Sequence, residues 1–130
     1  MKRITVLLAE DHMVVREGFR KLLEMEDDLE VVGEAEDGRR AVALVKKLRP
    51  AVVVMDVAMP LLNGLEAARQ ILQAVPSTRI LILSSHTDDA YIKDATQSGA
   101  VGFLLKQASA HDLSKGIREV NKGNVFLARS

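Results

Sequence analysis

With 130 residues, 48% of them hydrophobic, the chain has the size and apolar content of one domain built on one core. The absence of cysteine excludes disulfides, thiol catalysis and zinc–thiolate sites, and fits a reducing, cytoplasmic setting. The 18 basic and 18 acidic residues cancel and aromatic residues are few, which argues against nucleic-acid binding by this domain itself; no apolar run is long enough to span a membrane.

Met1-Lys2-Arg3 leads into a first strand, Ile4 to Ala9, followed by Glu10-Asp11. Val15, Phe19 and Leu22 then recur at helical spacing and predict a helix with those residues inward. Glu30 to Glu36, with Val31, Val32 and Ala35, reads as a shorter strand. Asp37-Gly38 opens a helix carrying Ala41, Leu44, Val45 and Leu48 on one side, and Pro50 ends it. The run Val52-Val53-Val54-Met55 is a third strand that delivers Asp56 at its end. Met59 to Gly64 is a loop with Asn63-Gly64 as its turn signal. A helix with Leu65, Ala68 and Leu72 follows and stops near Pro76. Ile80 to Leu83 forms the fourth strand, ending in Ser84.

The stretch Asp88 to Ser98 predicts the weakest helix, with only Tyr91, Ile92 and Ala95 as its apolar face and Gly99 as its C-terminal cap. Val101 to Leu105 is the fifth strand and ends at Lys106. A capping pattern, Ser109 with Asp112 three residues on, starts the last helix, whose stripe is Leu113, Ile117 and Val120 and whose end is Gly123. Strict alternation of five strands with five helices predicts an α/β domain: a parallel sheet covered on both faces. Right-handed crossovers favour a doubly wound, flavodoxin-like (βα)5 sheet of strand order 2-1-3-4-5. Residues 1–123 form this domain, and 124–130 are assigned to a C-terminal tail or the start of a linker.

In such a sheet, ligands bind beyond the carboxyl ends of the strands, at the switch point between the first and third. Asp11, Asp56, Ser84 and Lys106 are therefore predicted to share one crevice. Two unit charges ~4 Å apart repel by roughly 4 kcal/mol at an effective dielectric of ~20, so clustered carboxylates call for a positive partner. Lys106 supplies one charge, and a divalent cation would supply the rest. Carboxylates without His or Cys ligands suit Mg2+. A carboxylate is also a competent nucleophile towards phosphorus. Each residue has a plainer reading on its own: Asp11 or Ser84 as a helix cap, Asp56 as a turn residue, Lys106 as a solvated charge. Only their joint placement at strand ends argues for a site. His12, His86 and His111 lack metal-ligand spacing and read as surface or loop residues.

These motifs together resemble the receiver domain of two-component response regulators, over nearly the whole chain. They are the acidic pair Glu10-Asp11, the stretch Asp56-Val57-Ala58-Met59-Pro60 with Asn63-Gly64, the hydroxyl of Ser84, and Lys106 with Phe103 three residues before it. Asp11-His12, Arg16-Glu17-Gly18, Val32-Gly33-Glu34-Ala35 and Gly102 to Lys106 resemble the subfamily with a LuxR/NarL-type helix-turn-helix output. The resemblance implies that Asp56 accepts phosphate from a sensor histidine kinase. It implies Mg2+ held by Asp11, Asp56 and the backbone carbonyl of Ala58, with Glu10 acting through water. Ser84 would bond the phosphoryl group, Lys106 would pair with it, and Phe103 would turn inward as Ser84 moves. The protein would then be a phosphoacceptor rather than an enzyme. Its output would be a phosphorylation-dependent homodimer, or DNA binding through an output domain absent from this chain.

Three features depart from common family patterns. Gln107 stands where many receivers carry proline, Phe103 lacks a hydroxyl, and Ala58 and His86 occupy positions that tune phosphoryl lifetime. The alternative within the family is a stand-alone receiver acting by protein contacts or phosphorelay. An aspartate-nucleophile phosphohydrolase would need an acid at Ala58. A flavodoxin-like cofactor binder would need a phosphate-cradling loop where Glu10-Asp11-His12 stands.

Overall fold

The computed structural model describes residues 3–84, 89–106 and 110–128, with the side chains of 89–92, 110 and 128 outside that description. The elements in chain order are β1 (Ile4–Ala9), α1 (Met13–Glu24), β2 (Leu29–Ala35), α2 (Gly38–Leu48), β3 (Val52–Asp56), α3 (Gly64–Ala74), β4 (Arg79–Ser84), α4 (Asp89–Gln97), β5 (Gly102–Leu105), α5 (Ala110–Asn121) and β6 (Phe126–Ala128). All strand pairs are parallel, in the order β2-β1-β3-β4-β5-β6. The expected order 2-1-3-4-5 is present. The strand count of five is corrected to six, because part of the segment read as a tail pairs along the free edge of β5.

Continuous apolar strands are buried because both faces of the sheet are covered. Alternate side chains feed two cores. Leu7, Val53, Met55, Ile80, Ile82 and Phe103 meet α2, α3 and α4 on one face. Val6, Leu8, Val52, Val54, Leu81 and Leu83 meet α1 and α5 on the other. The α5 stripe Leu113, Ile117 and Val120 is fully buried, as its spacing predicts. Gly99 and Gly123 both adopt positive φ just past their helices. Of the predicted α4 face, Ala95 is buried, whereas the side chains of Tyr91 and Ile92, like Asp88, His86, Gln107 and the Ser109 cap, lie outside the described residues.

The inward face of α1 differs from the predicted one. Val15 and Leu22 are 37% and 40% exposed, while Phe19 and Leu23 pack inward. The helix is rotated because Arg16 and Arg20 flank that inner face and both reach Glu34 on β2. An apolar count cannot register arginines that turn inward to a partner. At the opposite end of the sheet, Arg118 of α5 donates to both carboxylate oxygens of Asp28 (2.8 and 2.9 Å) and to Glu26. Those hydrogen bonds hold the Asp28 carboxyl below its usual range.

The loop after Asp56 is held by close backbone packing as well as by Met59, Val57 and Leu62 against the core. Asn63 caps α3 by accepting from the Glu66 amide, and the left-handed residue of the loop is Leu61, not Asn63 or Gly64. A Cβ on Gly38 would lie 1.8 Å from the Leu62 carbonyl oxygen, and one on Gly64 would lie 2.3 Å from that of Asp56. Helix propensity alone makes Gly→Ala stabilising by about 1 kcal/mol. At Gly38 the sign should reverse: Gly38→Ala should destabilise by about 1–3 kcal/mol, because backbone must give way. Urea denaturation reads the sign directly, and an unchanged or raised midpoint would refute the packing argument.

Candidate functional site

Because β1, β3, β4 and β5 are neighbours in one parallel sheet, their carboxyl ends line up along one rim. Asp56 and Ser84 are the last residues of β3 and β4, and both are buried. Glu10 continues β1 by one residue, its amide donating to the Ala35 carbonyl oxygen (2.9 Å). Asp11 follows in the bend before α1, with its side chain 28% exposed. Lys106 leaves β5 in a turn, its amide donating to the Ser84 carbonyl oxygen (3.0 Å). The strand-end placement inferred from sequence is therefore met for all four residues.

The ammonium of Lys106 joins the acids. Its Nζ lies 3.0 Å from Asp56 Oδ2 and 3.1 Å from Glu10 Oε1, linking the ends of β5, β3 and β1. The other oxygen of Asp56, Oδ1, accepts from the Ala58 amide at 3.3 Å. Phe103 is already buried on β5, in the core that also contains Ala95 of α4.

Burial raises the Glu10 pKa above its usual value, and the neighbouring Asp56 carboxylate adds to the rise against the lowering effect of Lys106. For Lys106, burial alone would lower the pKa, but its hydrogen bonds to Asp56 and Glu10 outweigh this and raise it. Lys106 bonds Glu10 and Asp56 but not Asp11, so three acids share one ammonium at the rim.

Two buried oxygens, Glu10 Oε2 and Asp11 Oδ1, have no hydrogen-bond partner among the described residues. Burying unpaired carboxylate oxygens is unfavourable unless a cation or water meets them. The donor set is mostly hard oxygen, which fits Mg2+. His12 reads from sequence as a surface or loop residue without metal spacing. It is indeed largely exposed, yet its Nδ1 lies 3.1 Å from Glu10 Oε1 and 3.3 Å from Asp11 Oδ1. Glu10, Asp11 and His12 offer ligand atoms within 4.8 Å of one another. Their adjacency in sequence is the available signal. Sequence reasoning also misses Arg16 as a neighbour of this site, where its Nη1 donates to the Glu10 carbonyl oxygen at 2.8 Å.

A family model described as a response regulator receiver domain matches residues 6–118. The transcriptional regulatory protein DegU of Brevibacillus brevis is 39% identical over 125 residues, covering 96% of this chain and 53% of that protein. The signal receiver domain of the response regulator NarL from Mycobacterium tuberculosis superimposes with a TM-score of 0.90 at 34% identity, covering 95% of this chain and 100% of that one. The isolated REC domain of RcsB from Salmonella enterica, solved in the presence of phosphomimetic BeF3−, gives 0.88 at 30% identity, covering 98% and 95%. The chain spans little more than half the length of the curated relatives it matches. Among the described residues, no helix is long and apolar enough to cross a membrane.

Proposed function

The chain belongs to the response regulator receiver domain family, in its LuxR/NarL-type branch, and from that membership we propose that Asp56 accepts a phosphoryl group from the phosphohistidine of a sensor histidine kinase. The observation that carries the reading is the Lys106 bridge between Asp56 and Glu10, beside two buried carboxylate oxygens that make no hydrogen bond among the described residues. It is the arrangement a phosphoryl-transfer site needs: a nucleophile, a fixed cation, and oxygens ready to meet a second one.

Asp11, Asp56 and the Ala58 carbonyl would hold Mg2+, with Glu10 acting through water; the ion would supply charge neutralisation for the phosphoryl oxygens. A carboxylate oxygen of Asp56 attacks phosphorus, the P–N bond of the donor breaks, and the imidazole leaves with the electron pair. Lys106 follows the transferred group as its counter-ion, and Ser84 bonds one of its oxygens. No acid stands at Ala58 to drive rapid turnover, so the chain acts as a phosphoacceptor rather than an enzyme.

The added phosphoryl group brings about −1.5 to −2 charges. Moving a population from 1:99 to 99:1 takes about 5.5 kcal/mol of differential interaction, within reach of several charge-assisted hydrogen bonds. Ser84 and Lys106 sit at the ends of β4 and β5 on either side of α4 in sequence, so drawing them towards Asp56 repositions α4 and the β5 face around Phe103. The output is a phosphorylation-dependent homodimer in the cytoplasm, controlling transcription through a helix-turn-helix domain outside this chain. The transcriptional regulators among its relatives, and the RcsB domain solved with a phosphomimetic, support this reading.

Incubation with Mg2+ and a small phosphodonor such as acetyl phosphate is expected to add one phosphoryl group, read by intact mass. A chelator should prevent it. Modification that persists without metal would remove Mg2+ from the mechanism, and no modification under any condition would sink the proposal.

A further inference from the structure

The Arg16 side chain is held by two hydrogen bonds, one to a residue of β2 and one to the residue that follows β1. It is 15% exposed, although most residues of α1 are exposed. Its Nη1 donates to the Glu10 carbonyl oxygen at 2.8 Å, and its Nε donates to Glu34 Oε1 at 3.0 Å. Glu34 is pinned in turn, its Oε2 accepting from Arg20 Nη1 at 2.8 Å. Glu34 stands on β2 opposite Leu8, one residue before the Ala35 carbonyl that accepts from the Glu10 amide. Glu10 is thus gripped at both ends of its backbone, by β2 on the N–H side and by Arg16 on the C=O side.

The Glu10 carbonyl belongs to the peptide plane that joins Glu10 to Asp11. Rotating that plane redirects the chain between the two acids and so changes the aim of both carboxylates. Lys106 and His12 hold Glu10 Oε1, whereas Glu10 Oε2 and Asp11 Oδ1 make no hydrogen bond among the described residues, so where those two atoms point depends also on the backbone that carries them. A guanidinium presents donors in a rigid fork and can hold two acceptors at once, which a lysine ammonium on a flexible stem does less well. Groups that orient ligands from behind commonly matter to metal affinity nearly as much as the ligands themselves.

We propose that Arg16, anchored by Glu34, is a positioning residue that fixes the Glu10–Asp11 peptide plane and so presets the acidic pair for a divalent cation. The inference rests on the Mg2+ reading of the site given above. It also gives Arg16 and Glu34, which lie in two of the subfamily-like stretches of the sequence, a shared role.

The test is a Mg2+ titration of the unphosphorylated full chain by NMR or calorimetry. Arg16→Gln is expected to weaken Mg2+ binding about tenfold. Arg16→Lys should remain weak, since it keeps the charge but loses the fork. Glu34→Gln should weaken binding by a smaller factor, and it carries the test by itself if Arg16→Gln does not fold. Arg118→Gln breaks the ion-pair cluster that Arg118 makes with Glu26 and Asp28, and should lower stability while leaving Mg2+ affinity unchanged. Wild-type affinity in both Arg16→Gln and Glu34→Gln, or full rescue by lysine, overturns the positioning role while leaving the Mg2+ site intact. A wild-type chain that binds no Mg2+ overturns both.

Discussion

Asp56→Asn is expected to abolish phosphoryl uptake, leaving no adduct by intact mass under conditions that load the wild-type chain with one group. The amide oxygen of asparagine is a far poorer nucleophile than a carboxylate, so the covalent step loses its attacking atom. The fold should persist. The substituted amide still presents an oxygen where Asp56 Oδ2 accepts from Lys106, at the cost of the long 3.3 Å bond from the Ala58 amide to Oδ1, and its size matches the buried position at the end of β3. The substitution also removes a like charge beside Glu10, whose pKa is raised by burial and by that neighbour. The metal-free variant should therefore be at least as stable as wild type in urea, while losing all uptake. That pairing separates a chemical role from a structural one. An adduct of normal yield on Asp56→Asn would place the acceptor elsewhere. A variant that lost uptake only because it unfolded would leave Asp56 as a structural residue.

The site is legible in the sequence where side chains are delivered by strands. Asp56 and Lys106 follow continuous apolar runs, and such a run in a parallel sheet fixes both its direction and the rim at which it ends. Glu10 and Asp11 follow the same rule at β1. What stays hidden depends on contacts that no run of residues announces. The face of α1 is set by Arg16 and Arg20 reaching Glu34, eighteen and fourteen residues away, so its apolar residues alone select Val15 and Leu22 instead of Leu23. The edge strand β6 is three residues long and exists through its pairing with β5, beginning where the Phe126 amide donates to the Val101 carbonyl oxygen. The turn signal Asn63-Gly64 does mark a special position, but its residues serve as a helix cap and a close backbone approach. The left-handed conformation falls on Leu61, a residue type that rarely adopts it. Ligand spacing along the chain dismisses His12, whereas its position beside the acids follows from simple adjacency.

Lys106→Met should produce the largest stability change of any single substitution at the rim, and its pH dependence identifies the cause. Apart from His12, the ammonium is the only cation bonded to the carboxylate of either Glu10 or Asp56 among the described residues, and both carboxylates are buried. Removing one partner of a buried pair leaves charge without compensation and typically costs about 3–5 kcal/mol. In the wild type the raised Lys106 pKa means that its contribution is fully present below its ordinary value of 10.5 and is lost as pH rises through the folded value. Glu10 acts in the opposite sense. Its folded pKa lies above 4.5, so its ionisation penalises the fold once pH has risen through that window, and the penalty lifts on acidification. Without Lys106, the main influence lowering the Glu10 pKa is gone and the window moves upward. The variant should therefore be strongly destabilised at neutral pH without metal, and should regain stability in mild acid. Saturating Mg2+ at neutral pH should recover part of the loss, because Asp56 would then meet a different cation directly and Glu10 would meet it through water. Urea denaturation at neutral and mildly acidic pH, with and without Mg2+, measures all three effects. A loss that is equal at both pH values and indifferent to Mg2+ would mean that Lys106 contributes packing alone, and the electrostatic account of the rim would fail with it.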